Sequence, residues 1–350
     1  MFLRILFSLT AVILSSLLLS RLGLTSDLLD FDHVKYKNGE LVKGQANYAL
    51  NRTKIATMIE PRDDPLLLPT LLNFLAVVPA DWPFLIWCSD DNIGILETSR
   101  VLRPYVESGK VELRLLPPEA NHAALGTISL SRLLTRSWYW SQFDVLAEYV
   151  LIFQVDSILC SRSETTVDDW LGYDYVGGPT QWAPDGRGGN GGFSIRRLSL
   201  MRSLTMEYEA RLDQYERDQE FLWPADWFDQ PQNRNKYFFT AEDVFFVHHL
   251  KAMHDKDPSS VRWPVDDGRD QSEFSLDIWN PSRPVEQRKP LGIHTGAHIH
   301  PFVVRYENGT FTPKSQALVD YCPEVLMLRF ALPLPDGGVQ AAQEMMIHPE

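Results

Sequence analysis

Cysteine is scarce in this chain: Cys88, Cys160 and Cys322 are the three it has in 350 residues. That excludes a disulfide scaffold, and the lack of any C-x-x-C spacing excludes a structural zinc site. In an oxidising compartment one bridge and one free thiol are the most they can give. Cys88 with Cys160 is the expected pair, because each falls at or just past the end of a predicted strand. Positive charge is also short, with 33 Lys and Arg against 46 Asp and Glu and a net charge of −13. Such a chain repels phosphate backbones, so no nucleic-acid partner is expected. A local basic pocket for a small phosphate ester stays compatible with it. After the first predicted strand stands Glu60-Pro-Arg-Asp-Asp-Pro65, where a dinucleotide fold would carry G-x-G-x-x-G and a P-loop G-x-x-x-x-G-K-[ST]. H-E-x-x-H, the metalloprotease arrangement, is missing too. What is present is globular: 44% hydrophobic residues with 18 Phe, 12 Tyr and 10 Trp. At roughly 150 residues per domain, the length allows one large domain with appendages or two modest ones.

Long apolar runs are limited to one. Ile5 to Ser20 has no charge and lies between Arg4 and Arg21, a little below the ~17–25 residues that span a bilayer. Arg21 can snorkel and Leu22 to Leu24 extend the run, so residues 1–24 read as a signal-anchor; a cleaved signal peptide has the same charged start and apolar centre. Either way the rest of the chain is delivered to the secretory lumen. The expectation is a single-pass protein with a lumenal C-terminus, in the Golgi from its short anchor, or secreted if the signal is cleaved. Asn51-Arg-Thr53 and Asn308-Gly-Thr310 are glycosylation sequons. Residues 25–50 are polar and read as a stem. Residues 51–305 read as the catalytic domain, and 306–350 as a C-terminal extension ending in a loose tail from Ala331.

Within that domain, strand and helix patterns alternate. Lys54–Glu60, Phe84–Cys88, Val111–Leu116 and Tyr149–Val155 read as strands, and Leu66–Val78, Ile95–Ser108 and Ser129–Phe143 as helices. Four strands separated by helices give an α/β fold, a three-layer α/β/α domain with a mostly parallel central sheet. Ligands bind such sheets beyond the carboxyl ends of the strands, which directs attention to Glu60–Asp63, Ser89–Asp91 and Asp156–Ser157.

Four segments there could carry chemistry. Asp156, after the most apolar strand, is suited to hold a divalent cation, Mn²⁺ or Mg²⁺, against a diphosphate; a turn-forming Asp has the same pattern. Gly186 to Arg197 has five glycines in seven residues, which allow close backbone approach to a ligand, or else an Asn190-Gly191 hairpin turn. Glu242-Asp243 opens an apolar helix, and either acid could serve as general base. Thr240-x-x-Asp243 equally fits a capping box. In Gly292-Ile-His294 and the two histidines after it, His294 could complete a metal site with Asp156 or be an ordinary surface histidine.

The order of these segments resembles the GT-A class of nucleotide-sugar-dependent glycosyltransferases. The closer similarity is to a fungal family of that type, a domain of unknown function, at Ile55-Ala-Thr-Met-Ile-Glu-Pro-Arg62, Ser131-Arg-Leu-Leu-Thr135, Leu151-Ile-Phe-Gln-Val-Asp-Ser157, Asn190-Gly-Gly-Phe-Ser-Ile-Arg196 and Glu242-Asp-Val-Phe-Phe246. It covers roughly residues 54–300. The resemblance implies a nucleotide-sugar donor held by Arg62, Arg132, Asp156 and Ser157, with Asp156 as the last acid of a D-x-D motif. It implies an acceptor-side loop at Asn190, Gly191 and Gly192, and an acid pair, Glu242 and Asp243, that supplies the base of an inverting reaction. The acceptor would be a hydroxyl of a glycan, protein or lipid. The chain departs from the pattern at Gln154, which replaces the first acid of the motif, and after His294, where Thr-Gly-Ala stands. Two other classes fit the sequence: a catalytically silent carbohydrate-binding or scaffold protein on the same fold, with its Trp and Tyr stacking on sugars, and a metal-dependent phosphoester hydrolase using Asp156 and the histidines.

Overall fold

In the computed structural model of the chain, the described residues are 35–37, 40–42, 49–117, 126–180, 183, 185–218, 241–277, 289–295, 306–307, 310–311 and 313–330. Two compact units divide the chain, residues 1–47 and 48–350. In the first, β1 (Lys35–Lys37) pairs antiparallel with β2 (Glu40–Val42), so the polar stem contains a short strand pair. The proposed anchor, residues 1–24, lies outside the described residues, as do Asn308 and the tail from Ala331. Among the described residues no helix is long and apolar enough to cross a membrane.

The second unit is built on a six-stranded sheet. Its strands are β3 (Lys54–Ile59), β4 (Phe84–Cys88), β5 (Val111–Leu115), β6 (Tyr149–Phe153), β8 (Tyr175–Gly178) and β9 (Asn190–Arg197), in the order β5-β4-β3-β6-β9-β8; β7 (Ser157–Leu159) lies elsewhere. The four strands read from the sequence are parallel, while β9 runs antiparallel to both its neighbours. The sheet is therefore mostly parallel, and the start of β9 comes to the same edge as the end of β6. Strand alternation sorts the core into two clusters. Phe84, Ile86, Leu151 and Phe153 join one, and Leu85, Trp87, Val150 and Ile152 the other. Apolar residues on both faces are what an almost unbroken hydrophobic strand requires.

One face is covered by the helix Leu67–Val77 and by a small second sheet, β7 with β10 (Ser275–Asp277) and β11 (Gly292–His294), in the order β10-β11-β7. The other carries Gly126–Leu134, Ser137–Ser141, Leu198–Asp218 and Glu242–Lys256. β12 (Tyr306–Glu307) and β13 (Thr310–Phe311) pair antiparallel, and Pro313–Tyr321 and Val325–Phe330 follow as helices. Leu318, Val325 and Leu328 are buried in the core, so this part of the C-terminal extension is integral to the domain.

Two expected helices are broken. Ile95–Ser108 is realised as Ile93–Thr98 and Arg103–Glu107, with Pro104 in the first turn of the second, where a missing N–H costs nothing. Ser129–Phe143 is realised as Gly126–Leu134 and Ser137–Ser141. Extended backbone at Arg136 reverses the chain so that Trp140 can bury its ring and donate its indole N–H to the Leu134 carbonyl at 2.6 Å.

The disulfide joins Cys160 to Cys322, not Cys88 to Cys160. Cys160 does follow a strand, but that strand is β7 of the second sheet, whose end faces the C-terminal helices. Cys88 ends β4 inside the core, where burial pushes its thiol up to about 12 and leaves it unreactive. The bridge closes a loop with a sequence separation of 162 residues. Cys322→Ser is expected to lower stability by about 2–4 kcal/mol, read as a lower midpoint in chemical unfolding; an unchanged midpoint would mean that the C-terminal helices hold without the bridge.

Candidate functional site

The carboxyl edge of the sheet gathers most of the residues singled out in the sequence. β6 ends at Phe153, and Gln154-Val-Asp156 forms the tight connection to β7, closed by Ser157 N–H donating to the Gln154 carbonyl at 3.0 Å. The turn is made by backbone and by the buried Ser157 hydroxyl, which also donates to the Gly192 carbonyl at 3.1 Å. Asp156 contributes its carbonyl, which accepts from the Thr295 N–H and hydroxyl. Its carboxylate oxygen Oδ1 is buried and makes no hydrogen bond. An orphaned buried carboxylate oxygen is costly and calls for a partner.

The nearest group is His294. β11 lies antiparallel to β7 with His294 opposite Ser157, which brings its ring to the end of β6. His294 Nε2 is 3.5 Å from Asp156 Oδ1, an ion-pair distance rather than a hydrogen bond, and 3.3 Å from Gln154 Oε1. Burial raises the Asp156 carboxyl, but the imidazole of His294 and the guanidinium of Arg62 outweigh it and leave the group below the usual carboxylate range. These three side chains fit a divalent cation. Ligands bound at ~2.1–2.2 Å at right angles lie about 3 Å apart, close to the separations seen, and the set mixes one anionic oxygen, one amide oxygen and one imidazole nitrogen. Gln154 is thus a neutral donor where an acid was expected. Among the described residues no three His, Cys, Asp or Glu side chains group together, so the several anionic ligands of a two-metal hydrolase are not found among them.

Arg62, at the end of β3, reaches Asp156 by charge while its guanidinium donates to both oxygens of Glu60 at 2.7–2.8 Å. Its loop is fixed by the buried Asn92, whose amide donates to the Glu60 and Arg62 carbonyls at 2.6 and 2.7 Å. Arg132 is placed differently. It is exposed on Gly126–Leu134, a helix that packs beside Glu242–Lys256 rather than at the end of β6.

Asn190-Gly191-Gly192 is the first part of β9 and not a hairpin turn. Its two glycines separate two groups of polar side chains. A Cβ on Gly192 would come within 2.3 Å of His294 Nε2 and 2.6 Å of Gln154 Oε1, and one on Gly191 within 2.1 Å of Glu242 Oε1. Asn190 Oδ1 accepts from Gly192 N–H at 2.7 Å and steadies the turn into the strand. Gly192→Ala is therefore expected to give a folded protein in which His294 and Gln154 are pushed apart, seen as at least a tenfold weaker thermal response to nucleotide than the parent chain; an equal response would show that the site tolerates the displacement.

Beyond Gly191 stands the acid pair, and its two members differ. Glu242 is buried and bound bidentately by Arg196, at 2.6 and 3.0 Å. Arg196 has no exposed surface; it also donates to Ser194 Oγ and to the Gly191 carbonyl, and packs against Tyr175, Phe246 and Trp140. Asp243 is half-buried and accepts from the backbone N–H of Gly191 at 3.1 Å and of Val244 at 2.8 Å. Burial and the neighbouring Glu242 charge push its carboxyl up to about 6. The helix N-cap is Ala241, without a side-chain cap, and Thr240 of the expected capping box lies outside the described residues. Glu242 is thus committed to an ion pair with Arg196, while Asp243 is held by backbone N–H groups alone. Arg196, the last residue of the Asn190-Gly-Gly-Phe-Ser-Ile-Arg196 segment, is a functional residue to which the sequence gives no role; its partner Glu242 lies 46 residues further on.

Solved structures with a partial likeness include the galactosyltransferase LgtC in complex with donor and acceptor sugar analogs, at 11% identity over 81% of this chain and 98% of that chain with a TM-score of 0.41. The glycosyltransferase GlyE of Streptococcus pneumoniae is 11% identical over 86% of this chain and 65% of its own, with a TM-score of 0.38. Core-mannan synthase A of Aspergillus fumigatus, in a Mn/GDP form, is 12% identical over 62% and 79%, with a TM-score of 0.35. At these values the likeness extends to no residue of the site. No curated protein sequence matches the chain. The family described as Protein of unknown function (DUF5672) matches residues 112–294, more than half of the chain and the span that holds β6, the Gly-rich segment, the acid pair and His294, and the chain belongs to that family.

Proposed function

We propose that this chain transfers a sugar from a nucleoside diphosphate donor to a hydroxyl acceptor, on an α/β domain of the GT-A type held in the lumen of a secretory membrane, the Golgi, by residues 1–24. The observation that carries the reading is the orphaned carboxylate of Asp156 facing His294 and Gln154 at the carboxyl edge of a mostly parallel sheet, where such folds bind ligands. A Mn²⁺ or Mg²⁺ ion held by Asp156, His294 and Gln154 would neutralise the leaving diphosphate. Arg62 adds positive charge on the donor side. Asp243 takes the acceptor proton, and a base opposite the leaving group corresponds to inversion. Glu242 and Arg196 hold Gly191 and with it the N–H that Asp243 accepts. The Cys160–Cys322 bridge supports an oxidising compartment, and the Asn51 sequon, two residues before Thr53 on a surface turn, is open to glycosylation there.

The test is a thermal-shift titration of the full-length chain with uridine, guanosine and cytidine diphosphates, each with Mn²⁺ and with chelator. One nucleotide is expected to raise the melting temperature by mass action, and Asp156→Ala to abolish that rise. No rise with any nucleotide at millimolar concentration would sink the transferase reading in favour of a silent carbohydrate-binding protein.

A further inference from the structure

A cavity of about 430 Å³ has Arg187, His254, Ser259, Arg262 and Asp266 in its lining. That volume accommodates a monosaccharide. His254 sits eleven residues along the Glu242–Lys256 helix from Asp243, which at 1.5 Å per residue is about 16 Å. The cavity is therefore separate from Asp243, and none of Asp156, Gln154 and His294 lines it, though Arg187 belongs to the segment that ends in Asn190–Gly192.

Its lining is basic in a chain of net charge −13. Arg187 Nη2 donates to Asp266 at 2.7 Å, which fixes the guanidinium on the cavity wall with 31% of the side chain exposed. A fixed guanidinium presents its accessible N–H groups to a carboxylate or phosphate in a set direction. Arg262 donates to Asp267 at 2.8 Å and is more than half exposed, so its remaining N–H groups are accessible. Asp266 is shared between Arg187 and, at 3.6 Å, His254, and is the one acid in the lining.

We propose that this cavity binds an anionic sugar, its carboxylate or phosphate group received by Arg187 and Arg262. Binding stands apart from the transferase reading. The role it implies, anchoring an acidic residue of the acceptor a short oligosaccharide away from Asp243, rests on that reading.

The test uses saturation-transfer NMR and thermal shift on the full-length chain, with glucuronate, glucose 6-phosphate, inorganic phosphate and glucose as probes. A charged sugar is expected to bind at least tenfold more tightly than glucose. Arg187→Ala should remove that preference, Arg262→Gln should weaken it at least threefold, and Asp156→Ala should leave it intact. Arg262 is exposed enough that its variant folds even if Arg187→Ala does not. A preference for glucuronate identifies the carboxylate source and one for glucose 6-phosphate the phosphate source. Equal binding of glucose, binding of inorganic phosphate without either charged sugar, an undiminished preference in the Arg262→Gln chain, or its loss in Asp156→Ala would each overturn the proposal. Loss of the nucleotide response alone would overturn the donor site and leave this one standing.

Discussion

Asp243→Asn is expected to lower kcat by about 10²–10⁴-fold, the range contributed by a positioned general base, while the thermal response to nucleotide persists. The substitution is nearly isosteric, and Asn Oδ1 can still accept one of the two N–H groups that Asp243 accepts now. Glu242→Gln makes the contrast. It should reduce activity by weakening the hold on Gly191, but it leaves a proton acceptor in place, so its loss should be smaller than that of Asp243→Asn. The pH dependence follows from the Asp243 carboxyl lying at about 6. The base must be ionised, so kcat/KM of the parent chain should fall as pH drops below about 6, and removing the Glu242 charge should move that limb lower. Stability moves the opposite way. A folded-state value above the unfolded ~3.9 favours the protonated form in the fold, so this contribution is complete below about pH 4 and is lost as pH rises through 6. Relative to the parent, Asp243→Asn should then gain stability as pH rises from about 4 to about 6 and hold that gain above it. A pH profile without a limb near 6, or Asn and Gln variants of equal activity, would remove Asp243 as the base.

Arg196→Leu is expected to cost about 3–5 kcal/mol, because it leaves the buried Glu242 carboxylate without its bidentate partner. The double variant Arg196→Leu, Glu242→Leu should recover most of that loss, since replacing both members of a buried pair by apolar groups is often neutral. Chemical denaturation of the two single variants and the double variant gives the coupling directly. Recovery of stability need not bring recovery of activity: without Arg196 the Gly191 carbonyl keeps only the Ser194 hydroxyl at 2.9 Å, and the N–H at the same residue is one of two that orient Asp243. If the double variant is both stable and active, the ion pair has no part in positioning the base.

Much of this architecture was legible in the residues. Tyr149–Phe153 is apolar at every position because both sides of β6 are covered, and a run of that kind can only be an inner strand. Asp156, Asn190–Gly192, Glu242–Asp243 and His294 were found as motifs because polar or glycine-rich segments beside apolar strands interrupt the hydrophobic pattern. Sequence alone also carried the acidic balance and the parallel pairing of the first four strands, though not their order. It did not divide the acid pair, because Glu242 and Asp243 are adjacent and chemically alike; what separates them is that Arg196, 46 residues earlier, pairs with one and leaves the other to backbone N–H groups. Nor did it identify the disulfide, since strand ends are readable but the sheet that a short strand joins is not, and β7 joins β11. The glycines at 191 and 192 read as permissive, whereas the fold makes them obligatory, each facing side chains that a Cβ would displace. Local pattern thus determined which segments are strands, helices and polar breaks. Which breaks meet, and which of two like carboxylates stays free, was decided by long-range packing, because ion pairing and burial depend on partners that no local stretch of sequence contains.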